Sequence, residues 1–148
     1  MKVLVIDPGE RVGFAVANIE DDGLVLVTYG AAPLRDFALK LGEVITDYDV
    51  VVYETWRLRA NKAKVMIGSD FQPVQLIGMV RYLAWIHDVK LVSKEPGVKG
   101  AAAKAMPSWM RDLKDGASEE HPRDALDLLW SYVMSHHKGV WAACLKTD

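Results

Sequence analysis

Two stretches of this sequence end on a carboxylate where an apolar run should end on a turn. KVLVID is apolar from Val3 to Ile6 and stops on Asp7, ahead of Pro8-Gly9; VVVYE, counted from Val50, stops in the same way on Glu54. Short apolar runs bounded by turn residues read as buried strands. Each acid is then the last residue of its strand. Neighbouring strands lie about 4.8 Å apart, so two such strands side by side bring both carboxylates to one end of the sheet. Ligands of open sheets gather at that end. Two carboxylates so close repel, and one must protonate unless a cation sits between them. Oxygen donors of this kind suit Mg²⁺ or Mn²⁺ rather than zinc.

A third acidic segment, EEHPRDALDLLW, places His121, Asp124 and Asp127 three residues apart in turn. Three residues advance about 300° on a helix, so each successive pair shares a face. Over six residues the drift reaches about 120°, and all three cannot aim at one spot. Either His121 with Asp124 or Asp124 with Asp127 joins the two strand-end acids. Acids near a helix start also favour the helix dipole without any further role. The presence of Asp7 and Glu54 tips the reading toward a common site.

Three strands, over 2–7, 11–18 and 23–29, are linked by the turns at 7–10 and 22–23 into an antiparallel meander. Gly13, Ala15 and Ala17 share one face of the second strand and invite close packing there. Helical spacing runs from Pro33 to about Thr46. A fourth strand covers 50–54 and a helix Phe71 to His87, with Asp70 able to cap it. A fifth strand covers 89–93. KEPGVKGAAAKAMP then breaks the regularity before a short helix at 108–113 and a last one from Pro122 to about His136. The expected fold is α/β: a five-stranded mixed sheet, three meander strands then parallel ones, flanked by helices, with the first and fourth strands parallel neighbours in the middle.

With these residues in view the sequence resembles RuvC-type Holliday-junction resolvases, of the ribonuclease H-like superfamily. IDPGERVGFAV, VVYE ending on Glu54, and HPRDAL look like that family's three acidic motifs. Asn61, PGVK (Pro96 to Lys99) and AAAK (Ala101 to Lys104) resemble its DNA-contacting segment. The resemblance spans nearly the whole chain, 1–148, as one nuclease domain. It implies cleavage of DNA phosphodiesters by a homodimer with two metal ions. By motif, Asp7, Glu54 and Asp124 match metal-binding carboxylates, and His121 falls where members carry a further Asp or a His. On this reading Asp7 bridges two Mg²⁺ ions (with Mn²⁺ as a substitute) about 4 Å apart. Glu54 binds one ion; Asp124, with Asp127 or His121, binds the other. Trp56, just after Glu54, lies near where members of the family carry an aromatic that stacks at the junction.

Charge supports a polyanionic partner. Residues 55–114 carry a net +7 and the flanks together −9. Arg57, Arg59, Lys62, Lys64, Lys99 and Lys104 are the phosphate-contacting candidates; solvated loops are the plain alternative for the first four. The helix over 71–87 is apolar nearly all round, with Arg81 its only full charge. One sheet covers one side, so a second copy is expected on the other. Trp85 and Trp130, on apolar helices, are read as core. His136, His137 and the single cysteine, Cys144, lack the paired spacing of a zinc site.

The expected substrate is branched DNA such as four-way junctions. The rival readings are a monomeric ribonuclease H-like nuclease acting on RNA, of the pre-ribosomal-RNA processing type, and a branched-DNA binder that does not cut. No apolar run reaches the roughly 18 residues of a membrane span, and KVLVI is too short for a signal peptide core. A cytoplasmic setting is expected, that of a host cell if the protein is virus-encoded.

Overall fold

A computed structural model describes residues 1–55 and 71–146. Strands β1 (Lys2–Asp7), β2 (Arg11–Ile19) and β3 (Leu24–Pro33) form the meander. Helix α1 (Leu34–Val44) and a 3-10 turn lead to β4 (Val50–Glu54). Helix α2 (Gln72–Ile86) returns to β5 (Lys90–Lys94). Helices α3 (Val98–Lys104), α4 (Ser108–Gly116), α5 (Glu120–His136) and α6 (Lys138–Lys146) follow. The sheet order is β3-β2-β1-β4-β5, with β1 antiparallel to β2 and parallel to β4. The expected mixed sheet is present, with β1 and β4 adjacent at its centre.

Period two along the strands sorts the core into two layers. Val3, Val5, Ala15, Ala17, Val50 and Val52 face α5 and its buried Leu126, Leu129 and Trp130. Leu4, Ile6, Val16, Val51 and Tyr53 face α1 and α2. Asp7 continues the first alternation on β1 and Glu54 does so on β4. Both acids therefore emerge on the α5 side.

Four features differ from expectation. β3 runs on to Pro33, because Gly30, Ala31 and Ala32 keep their ladder partners on β2. Their weak strand propensity is overridden by pairing. Helix α3 forms where KEPGVKGAAAKAMP suggested irregular chain; Ala102 is buried against α5, and the Trp130 Nε1–H donates to Ala105 O at 2.8 Å. Helix α6 was likewise not expected; it packs Val140 and Cys144 into the core. Trp85 is not core: it is 82% exposed, whereas Trp130 is fully buried. The helix α2 buries Leu76, Val80 and Ala84 and turns Val74, Tyr82, Trp85 and Ile86 outward. Asp70, expected to cap α2, lies outside the described residues.

Leu129 has no exposed surface and sits between α5 and the sheet. Truncation leaves a cavity that a packed interior closes only in part. Leu129→Ala should lower unfolding free energy by about 2–5 kcal/mol in urea titration. A loss below about 1 kcal/mol would contradict the packing described.

Candidate active site

The parallel register Val5↔Val52 and Ile6↔Tyr53 sets Asp7 and Glu54 at the same level of adjacent strands. Helix α5 crosses above them and lowers Asp124 into the same hollow. The meeting point of the three acids is the Lys99 ammonium, from the first turn of α3. Lys99 Nζ lies 2.7 Å from Asp7 Oδ1 and 2.6 Å from Asp124 Oδ2, and it also pairs with Glu54 Oε2. Glu54 Oε2 is fully enclosed and faces the Lys99 ammonium.

His121 joins from the start of α5, its Nδ1 3.0 Å from Asp7 Oδ2. Two glycines make that approach possible. Gly13 is the ladder partner of Asp7 on β2. A Cβ there would lie 2.1 Å from the backbone oxygen of His121, closer than any real contact. A Cβ on Gly9 would meet Arg11 O at 2.7 Å and His121 Cε1 at 2.9 Å. The small-residue face read from Gly13, Ala15 and Ala17 is thus the seat of α5. Outside the hollow, Arg11 clamps Glu119, just ahead of α5, through two hydrogen bonds of 2.7 and 3.0 Å.

Asp127 takes a different direction. It is buried, and both of its oxygens accept hydrogen bonds of 2.7 Å from Lys114 Nζ on α4. The structure therefore brings His121, not Asp127, beside Asp7. A three-residue step on a helix leaves a 60° offset, and α4 supplies a cation to receive Asp127. Lys104 is exposed in the last turn of α3. Trp56, Arg57, Arg59, Asn61, Lys62 and Lys64 lie outside the described residues. Neither lysine partner was anticipated as such. In the sequence Lys99 reads as a phosphate contact, and nothing in local sequence links Lys114 to Asp127.

Electrostatics follow burial. Desolvation, helped by the neighbouring Asp7 and opposed by Lys99, pushes the Glu54 carboxyl up from 4.5 to about 7. Burial pulls the Lys99 ammonium down, but Asp7, Asp124 and Glu54 outweigh it and the net shift is upward. Burial also raises the Asp127 carboxyl against the pull of Lys114.

Among the described residues no group of three or more His, Cys, Asp or Glu is placed so as to hold a metal ion. The donor set nevertheless fits a hard divalent cation. Three carboxylates from three elements converge on one positive centre, and one of their oxygens, Glu54 Oε2, is enclosed there. Oxygen ligands with a flanking imidazole suit Mg²⁺ or Mn²⁺.

No protein-family model matches the sequence, and no curated protein matches it either. Solved structures do. The fold is the one seen in solved Holliday junction resolvases. RuvC of Thermus thermophilus, solved alone and with Holliday junction substrate, superposes with a TM-score of 0.67 at 18% identity, over 95% of this chain and 98% of that one. The fowlpox virus resolvase, in complex with substrate Holliday junction DNA, gives 0.61 at 14% identity over 91% and 98%. The yeast mitochondrial Holliday junction resolvase Ydc2 gives 0.59 at 18% identity over 98% and 80%.

The raised Glu54 value has a thermodynamic consequence. An acid whose folded pKa exceeds its unfolded one favours the fold while protonated, and that contribution is lost as pH rises from 4.5 through about 7. In metal-free protein, Glu54→Gln should raise the melting temperature, more at about pH 8 than at about pH 4, on the two sides of that interval. An equal change at both pH values would contradict the placement of Glu54. Gly13→Ala should cost about 1–3 kcal/mol through overpacking against α5. Unchanged stability in thermal denaturation would contradict the close seat of His121.

Proposed function

We propose that this protein is a divalent-cation-dependent endonuclease that hydrolyses phosphodiester bonds in branched DNA, with four-way junctions as its preferred substrate. The observation that carries the reading is the convergence of Asp7, Glu54 and Asp124 on one cationic position at the carboxyl end of the sheet. A protein that only bound DNA would gain nothing from clustered acids facing a phosphate. The likeness to resolvase structures across nearly the whole chain supports the substrate class.

Asp7, Glu54, Asp124 and His121 would hold the metal, two Mg²⁺ ions per site with Mn²⁺ as a substitute. Bound ions of this kind activate water and neutralise charge developing on the phosphate and the leaving oxygen. The chain's own residues hold the frame. The fixed ends of β1 and β4 set two carboxylates, and α5 sets the third together with the imidazole. His121, hydrogen-bonded to Asp7, is also placed to move a proton. Lys104 and the basic residues of 57–64 would contact phosphates on either side. Asp127, held by Lys114, serves as a tie between α4 and α5.

A homodimer is part of the proposal. Val74, Tyr82, Trp85 and Ile86 give α2 an apolar outer face. A patch of this kind on a small protein marks an association surface. Two sites carried by a pair could meet opposed strands of a junction.

Mg²⁺-dependent cleavage of a panel of four-way, flap, fork and linear DNAs, with single-stranded RNA alongside, tests the function. Asp7→Asn protein should keep its fold by circular dichroism and lose at least about a thousandfold in cleavage rate. Undiminished cleavage by that variant refutes the site; cleavage of RNA alone refutes the substrate. Trp85→Glu should turn a dimer into a monomer by light scattering at micromolar concentration. A wild-type protein that is already monomeric there removes the dimer.

A further inference from the structure

We infer that Lys99 is a stand-in for the metal: its ammonium occupies the metal position in the metal-free protein and must leave when a divalent cation binds. This rests on the nuclease reading above and adds a coupling to it. An ammonium has three N–H donors. Lys99 meets three carboxylates, one each from β1, β4 and α5. Its side chain is only 17% exposed. A buried group of carboxylates without a counter-charge is costly, so some cation must sit there at neutral pH. A lysine and a divalent cation cannot occupy one point, and each repels the other.

The geometry of α3 gives Lys99 a way out. It is the second residue of a seven-residue helix that follows Pro96-Gly97. Built side chains at Gly97 and Gly100 would meet nothing within 4 Å, so the chain on both sides of Lys99 borders open space. The helix is anchored at its far end, through Ala102 in the core and the Trp130 bond to Ala105. The flexible lysine stem can therefore withdraw without unseating α3. Once outside, the ammonium stands beside the acidic hollow, where a phosphate held by the metal would receive it. Loading with metal would thus free a phosphate-binding cation. By contrast, Lys114 is committed to Asp127 and does not touch the three acids.

Competition of this kind weakens apparent affinity by the fraction of molecules whose site is open. If Lys99 fills the site in about nine molecules of ten, removing it tightens binding about tenfold. The test is calorimetric titration of Mn²⁺ into the full-length wild-type and Lys99→Met proteins, in chelator-free buffer. Methionine keeps an unbranched stem and removes the charge. The dissociation constant should fall by about tenfold in the variant. Equal or weaker Mn²⁺ binding by folded Lys99→Met protein overturns the inference and leaves the nuclease reading standing. A lysine with a merely structural role would also give weaker binding. Absence of Mn²⁺ binding to both proteins sinks the inference and the nuclease reading together. A second readout needs no variant. Acetylation of Lys99 in wild-type protein by an activated ester, followed by peptide mass spectrometry, should accelerate when saturating Mn²⁺ is added. An unchanged rate at saturation overturns the exchange.

Discussion

Three carboxylates drawn into one hollow repel each other, and a positive charge at their centre is what lets the hollow exist. In this protein that charge is supplied by Lys99, against Asp7, Glu54 and Asp124. The rest of the architecture can be understood from it. The parallel pairing of β1 with β4 sets two acids level. The bare backbone of Gly13 admits the start of α5 and with it His121. The packing of α3 on α5 delivers the lysine. Moving any one of these elements would leave a buried charge without its partner, which costs more than the pair itself contributes.

The same arrangement divides the acidic residues of α5 by direction. Asp124 looks into the hollow and Asp127 looks toward Lys114. One helix thereby carries an acid paired with Lys99 and an acid paired with Lys114 within a single turn. The division explains why four acidic or imidazole groups gather at the sheet end while a fifth candidate, adjacent in pattern, does not. Each of the two lysines holds its acid where simple repulsion would have driven it out. Their roles differ, because Lys114 meets one carboxylate and Lys99 meets three.

Much of this was legible in the residues. The apolar runs closed by Asp7 and Glu54 showed two strand-end acids brought to one end of the sheet. The meander, the central β1–β4 pair and the helix over Gln72–Ile86 followed from turn residues and periodicity. Three things did not follow. Helix α3 carries a poor apolar pattern of its own and forms because Ala102 and Ala105 meet α5, a tertiary contact. Trp85 looked like core because α2 is apolar on most sides, yet one chain offers only one sheet face to cover it. The choice between His121 and Asp127 depended on Lys114, thirteen residues upstream of Asp127 on another helix. Pairings between distant lysines and acids leave no local spacing to read.

The central claim is that the acids of β1, β4 and α5 form a divalent-cation site. A crystal structure of the protein grown with Mn²⁺, with anomalous scattering measured at the manganese edge, tests it most directly. The account predicts a peak in contact with Asp7, Glu54 and Asp124, with the Lys99 ammonium moved away. A structure at saturating Mn²⁺ with no peak there, and with Lys99 still seated among the three carboxylates, would contradict it.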